Sequence, residues 1–423
     1  MKNKINIFIG LLYTSAFMPF LAGLFGLNGS ILSLMALVID IIIFYLGFSA
    51  LILKKFNYYI LLIIILISLF TFLTHKYSLI SHLNGLREFL DIVLLFSFYQ
   101  NLAVSRFRFF FIKRMTFFFI CFLIIQIPIA FYQFLKFGAG DYVVGSLGMG
   151  SSGILSLIII LIVYFMIKMH LNGMKFVAYS YLIFLFPIFV NETKISFILL
   201  PIMLLLLSNV KRISTIIFSI AISVFVFFLF NNFYSNQGRK VDDPFHHIFS
   251  NEYLEKYLLG PEVTANKDAV IDIPRFTKIV IAMQLLGKDE LEAFYGMEYG
   301  AFKGGTIMNK SSFSREYDWL LKGSRPYLFY LLITGGWLLF FVIFFYFYIQ
   351  LCTGFGKLCD KRLAILCGII LIIVMFYNDS PRQQFFVMIY AFFVTFSKGY
   401  SKLFLLRMAK NTNNLLDNSV KLI

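Results

Sequence analysis

The sequence predicts an all-α, polytopic integral membrane protein with about 12 transmembrane helices and one long extracytoplasmic loop. Three observations predict it. The 423 residues are 60% hydrophobic with a mean hydropathy of +0.85, whereas soluble domains are nearer half apolar. Apolar stretches long enough to cross a bilayer recur along the chain. The cations are distributed unevenly between the segments that join those stretches.

Taken in order, the apolar stretches fall at about 5–27, 30–53, 58–74, 86–104, 115–137, 153–170, 176–190, 195–210, 213–230, 327–351, 363–377 and 384–398. The division is therefore 1–230 for helices one to nine, 231–326 for the large loop, 327–398 for the last three helices and 399–423 for a basic tail. The opening MKNK lacks a small-residue cleavage site before its apolar run, so it reads as the start of a first membrane helix. With that end inside, the inner segments hold pairs such as Lys54 and Lys55, Arg106 and Arg108, Lys113 and Arg114, Lys211 and Arg212, and the tail cations. The short outer loops hold only Lys76, Lys136, Lys194 and Arg382. Cations gather on the cytoplasmic side of membrane proteins, so both termini are expected there. The formal net charge of +16 then serves orientation and contact with anionic lipid, not nucleic acid.

Segment 231–326 contains 12 Lys+Arg and 13 Asp+Glu and is nearly neutral. A loop this long carries structure of its own. In DIPRFTKIVIAMQLL, Asp272 is a candidate cap, Pro274 suits a first turn, and Phe276, Ile279, Val280, Met283 and Leu286 recur at helical spacing. Glycines 287, 296, 300, 304 and 305 mark turns after it.

Outward cations are the most informative polar class. Arg275 and Lys278 share a face of the loop helix and its first turn, where free N–H groups favour anions. Arg325 precedes Pro326 and the tenth helix, and Lys194 interrupts two apolar runs in FVNETKISF. They read either as a phosphate or diphosphate site, or as ordinary solvated cations. In LREFLDIVLLF, Arg87 and Asp91 are spaced to pair on one helix; with Glu88 they either satisfy one another or line a polar cavity. Asp40 stands alone near the middle of helix two, where a buried hydrogen bond would hold it. Glu298, Glu316 and Asp318 are the candidate bases. Cys121, Cys352, Cys359 and Cys367 form neither a disulfide framework nor a zinc pattern. His75, His82, His246 and His247 do not form a metal constellation, and no phosphate loop or dinucleotide fingerprint is found. No metal or cofactor is expected.

Three stretches together resemble the bacterial O-antigen and capsule polymerase/ligase family. DYVVGSLGMGSSGILS at 141–156 is similar to that family's glycine turn before a membrane helix. VNETKISF, with Thr193 and Lys194, sits where many members carry a short outer turn with Ser-Arg. IPRFTKIVIAMQLL, a glycine-rich stretch and SRPYLFYLLITGGWLL resemble the arginine-led helix, glycine turn and helix entry of the family's loop. LREFL is similar as well. The ligases' His-Asn at that last entry is replaced by Ser324 and Arg325, which favours a polymerase.

The resemblance implies a glycosyltransferase of the bacterial cytoplasmic (inner) membrane. It would polymerise repeat units carried on undecaprenyl diphosphate, with a chain-length regulator and a flippase as partners. Lys194, Arg275, Lys278, Arg325 and Arg87 would then meet the diphosphate, with Arg275 catalytic as well. The rivals are a ligase of the same family and a lipid-linked oligosaccharide flippase. Repeated halves and short loops would mark the flippase.

The charge asymmetry generates a topology prediction. Single cysteines at Ser250 and Ser105, in a chain lacking the native four, are probed with an impermeant thiol reagent on intact cells or spheroplasts. Labelling is expected at Ser250; labelling at Ser105 alone would invert the topology.

Overall fold

The structure, a computed structural model, describes residues 1–27, 29–51, 55–74, 79–138, 142–148, 150–170, 180–191, 194–207, 273–302, 311–321, 323, 325–352 and 361–396. Every regular element among them is helical. Six of the described helices are long and apolar enough to cross a membrane: α1 (Lys2–Phe25), α2 (Gly29–Leu51, apolar from Ile31), α3 (Lys55–Thr74), α5 (Arg108–Phe137), α6 (Ser152–His170) and α13 (Tyr327–Cys352). They coincide with expected spans. α4 (Leu79–Val104) is just as long but carries Arg87, Glu88 and Asp91. It starts at Leu79, not at 86, because the polar run before Leu86 is satisfied inside the protein: Ser68 Oγ meets His82 Nε2 at 2.7 Å.

A 3₁₀ turn (Tyr181–Leu185) leads into α7 (Phe186–Val190), followed by α8 (Lys194–Leu207). The long loop contributes α9 (Arg275–Leu286), α10 (Glu290–Tyr295), α11 (Ser312–Glu316) and α12 (Asp318–Leu321). α14 (Lys361–Tyr377) and α15 (Gln384–Phe396) complete the order. The expected span 213–230, Asp272 and the loop up to it lie outside the described residues. Pro274 immediately precedes α9, next to the first turn as expected.

The chain divides into two units. The first comprises Met1–Leu102, Phe230–Phe347 and Ile370–Met388. At one end of it, Lys4 Nζ donates to Ser49 Oγ at 2.7 Å, joining the start of α1 to the end of α2. Asn57, in the first turn of α3, donates to Ser97 Oγ (2.8 Å) and Gln100 Oε1 (3.1 Å) near the end of α4. Apolar packing alone gives little preference between helix neighbours in lipid, so such polar contacts fix registry. Between them Phe8 of α1 packs on Phe98 and Tyr99, and Tyr99 Oη donates to the Met388 carbonyl at 2.7 Å.

The second unit comprises Ala103–Leu229, Tyr348–Ile369 and Ile389–Ile423. Its centre is α6, buried without interruption from Ile154 to Ile167, the pattern of a helix enclosed on all sides. Phe119, Phe165, Phe392 and Phe393 pack ring against ring beside it. The 142–148 turn is held by α5: the Gln133 side chain exchanges two hydrogen bonds with the Gly145 backbone, and Gln126 exchanges two with Ser146. Asn191 donates to the Ser152 carbonyl and Ser156 Oγ, anchoring the turn before Lys194.

α13 is broken. Gly335 and Gly336 leave helical geometry, with φ of 64° and ψ of −163° at Gly336. The break frees the Ile333 carbonyl, which accepts the N–H of Met297 at 2.8 Å and of Glu298 at 3.4 Å. A Cβ on Gly336 would strike the Phe294 carbonyl, so only glycine lets loop and helix approach this closely. Gly85 of α4 is packed against the Tyr299 backbone in the same way. Gly336→Ala is expected to lower the thermal unfolding temperature in detergent. The backbone conformation alone costs about 1–3 kcal/mol for a residue with a side chain, and the clash adds to it. An unchanged temperature would show that the break is not fixed.

Candidate functional site

A charged cluster occupies one end of the first unit. Pro326 opens α13, placing Arg325 just outside it and Tyr327 and Tyr330 on its first turns. A 3₁₀ turn over Ser380–Arg382 joins α14 to α15. In it Asn378 Oδ1 accepts the N–H and the hydroxyl of Ser380, and the Arg382 N–H bonds to the Asp379 carbonyl. The sequence FYNDSPRQQF thus becomes a tight turn that projects Arg382 inward.

Arg382 Nε lies 3.2 Å from Glu88 Oε2 and its Nη1 3.0 Å from Asp379 Oδ2. Glu88 Oε2 also accepts the Tyr330 hydroxyl at 2.5 Å. The guanidinium stands over the Tyr330 ring, 4.3 Å from its centroid, and near Phe302 at 5.3 Å. Only 12% of the Arg382 side chain and 10% of that of Glu88 are exposed. Burial alone would lower the Arg382 pKa; Glu88 and Asp379 more than reverse this and hold it above its ordinary value. Arg382 is therefore a fixed cation.

Arg325 reaches the same Asp379 with Nη2 at 3.5 Å and lies over Phe302 at 5.8 Å. Burial pulls its pKa down, with Asp379 opposing. Its Nε is buried and has no hydrogen-bond acceptor among the described residues, an arrangement uncommon for a donor of this strength. Arg275, the first residue of α9, stacks its guanidinium over Tyr377 at 4.1 Å. Arg87 does not pair along its own helix with Asp91. It reaches across to Asp40 of α2 at 2.5 Å, so Asp40 is not alone but is half of an interhelical ion pair. Asp91 accepts from Gln384 Nε2 at 3.3 Å. A charge deep in a membrane helix needs such a partner, and the one available lies on the neighbouring helix.

The remaining sequence candidates are scattered. Lys278 is fully buried on the inner face of α9. Glu298 is buried in the loop beside the α13 break and accepts the Phe313 N–H at 3.4 Å. Glu316 is exposed at the end of α11. Asp318 starts α12 and Lys194 starts α8, with both side chains outside the described set. The structure thus joins Arg325 to a group that sequence reasoning did not single out: Arg382, Asp379, Glu88 in its pairing role, and Tyr330. The signal was present in FYNDSPRQQF, a polar wedge between two apolar runs like the one around Lys194.

Removing Arg87 leaves the Asp40 carboxylate without its cation inside α2. Arg87→Ala is expected to destabilise the protein toward the lower end of about 3–5 kcal/mol, since Arg87 keeps some contact with solvent. The exchanged pair, Asp40→Arg with Arg87→Asp, should recover part of the loss. Thermal unfolding in detergent measures both, and a wild-type temperature for Arg87→Ala would mean that the pair does not hold α2 to α4.

The chain matches no protein-family model, no curated protein and no solved structure, so the resemblance to the O-antigen polymerase/ligase family rests on the sequence motifs alone.

Proposed function

We propose that this protein is a polysaccharide polymerase of the bacterial cytoplasmic membrane, with twelve spans, both termini inside and segment 231–326 outside. It transfers glycan from undecaprenyl diphosphate to a sugar hydroxyl on a second lipid-linked repeat unit. The topology is supported by which helix ends meet. The end of α3, the starts of α4 and α13 and the 379–382 turn, all expected outside, share one end of the first unit, while Lys4, Ser49, Asn57 and Gln100 share the other.

The observation that carries the chemistry is Arg325 beside Arg382, sharing Asp379 at the mouth of α13, with a buried guanidinium N–H that has no acceptor among the described residues. In the reaction the bond from the sugar's anomeric carbon to the diphosphate oxygen breaks, and its electron pair leaves with the diphosphate. A bond from the acceptor oxygen to that carbon forms, and the acceptor's proton passes to a base. Arginines aimed at the departing oxygens stabilise the charge that develops there, without a metal. Arg325 and Arg275 take that role, with Lys194 contributing charge, and Arg382 fixes Asp379 and so the direction of Arg325. Among the proposed bases, Glu298 is committed to the Phe313 N–H and suits holding the loop. Glu316 and Asp318 are left for the proton.

Losing one charge-assisted contact to a diphosphate is expected to cost about 1.5–3 kcal/mol, or roughly 10- to 150-fold in turnover. Alanine at Arg275 or Arg325 should therefore shorten the polymer in cells at equal protein level. Arg275→Lys should be poor, because a point charge does not reproduce the planar fork, and Lys194→Arg should be tolerated. Wild-type chain length with alanine at both Arg275 and Lys194 would sink the diphosphate site. Long chains accumulating on the lipid in a deletion strain would point to a ligase instead.

A further inference from the structure

The helical hairpin α9–α10 has its polarity reversed relative to a helix on a water-exposed loop. Its lysine points inward: Lys278 is 0% exposed, on the face shared with Ile279, Ala282 and Leu286. Its outward positions are apolar except for Gln284. Phe276 is 45% exposed, Val280 37% and Met283 39%, at a spacing that sets all three on one face. α10 continues the pattern with Leu291 at 54% and Phe294 at 62%. The exposed charges Lys288, Asp289 and Glu290 are confined to the turn between the helices and the first residue of α10. Single exposed apolar residues are ordinary; a contiguous set over two helices, with the lysine buried, indicates a partner that is not water.

Where the hairpin is fastened identifies that partner. The start of α9 is pinned at the last residue of α14, through Arg275 over Tyr377. The end of α10 is pinned at the last turn of α3: Thr71 Oγ1 donates to the Tyr295 carbonyl at 2.9 Å, and Phe70 and Tyr295 have ring centroids 4.0 Å apart. The hairpin is thus fastened at the ends of two apolar helices, one of which, α3, is long and apolar enough to span a membrane. That helix also exposes Leu69 and Leu73 close to the point of attachment. We infer that α9 and α10 lie in the outer interfacial layer of the bilayer, with Phe276, Val280, Met283, Leu291 and Phe294 set into the acyl chains. This is the geometry of an interfacial helix, immersed by about 5–10 Å. The part of the expected aqueous loop that forms α9 and α10 would then be in contact with lipid, a conclusion that takes its side of the membrane from the proposed topology but nothing from the polymerase chemistry.

The test uses the full chain in vesicles, with Trp319 and Trp337 replaced by Phe and one tryptophan returned at a chosen site. Phe276→Trp and Met283→Trp report on the hairpin, Leu73→Trp on a lipid-facing reference and Lys288→Trp on the turn. The vesicles are phosphatidylcholine with brominated acyl chains, the bromines set near the headgroup or deep in the chain. Expected is quenching of both hairpin tryptophans at roughly half or more of the Leu73→Trp level, stronger with shallow bromines than with deep ones, as an interfacial depth requires. Quenching by aqueous iodide with no response to bromine would place the face in water and overturn the inference. Insensitivity to both would overturn it too, by showing that residues 208–272 or a second copy cover the face. Either variant alone decides the matter if the other fails to fold.

Discussion

Glu88 accepting from Arg382 and Tyr330 is the contact on which the first unit turns. It ties together α4, the first turns of α13 and the turn before α15, three segments far apart in the chain. A carboxylate this enclosed survives only if its hydrogen-bonding capacity is filled, and breaking such a pair is costlier than never having made it. Because Glu88 fixes Arg382, it also fixes the Asp379 carboxylate, which in turn directs Arg325. The aromatic packing follows from the same knot: Tyr330 stacks on Phe89 at 5.6 Å and meets Phe302 edge-on at 4.9 Å. The cations around this end are therefore held by design of the packing and not left loose on long side chains, which is the condition for electrostatic stabilisation without reorganisation.

Most of the described helix surfaces in both units are apolar, and polar contacts decide which helix lies against which. The Asn57, Ser97 and Gln100 contact performs this in the first unit and the Asn191, Ser152 and Ser156 contact in the second. Replacing water with lipid removes most of the hydrophobic preference for one neighbour over another, leaving close packing and a few hydrogen bonds to select the arrangement.

The six long apolar helices among the described residues were legible in the sequence because length and hydropathy in a membrane depend on local composition. The loop helix beginning at Arg275 was legible for the same local reason, its apolar residues recurring at helical spacing. Partners were not legible. Spacing joined Arg87 to Asp91, yet the side chain crosses to Asp40, because sequence distance says nothing about the neighbouring helix. Lys278 looked like a surface lysine because helix faces are usually assigned by assuming water outside. Arg382 was visible as an outward cation, but its importance came from a tertiary turn and from Glu88, reached across the chain. Lys194 was picked out by its place between apolar runs; the structure fixes only that it begins α8.

The break at Gly335 and Gly336 changes how α13 is measured against a bilayer. Counted whole, Tyr327–Cys352 is 26 residues, ample for any membrane. Past the break the described rod runs from Trp337 to Cys352, about 24 Å at the usual helical rise, and the turns before the break belong to the same apolar element. A carbonyl released inside a hydrocarbon layer finds no donor there. Here the Ile333 carbonyl takes the N–H groups of Met297 and Glu298 instead. The chain before α13 thereby supplies what lipid cannot, and the break is as much a docking point for that segment as an interruption of the helix.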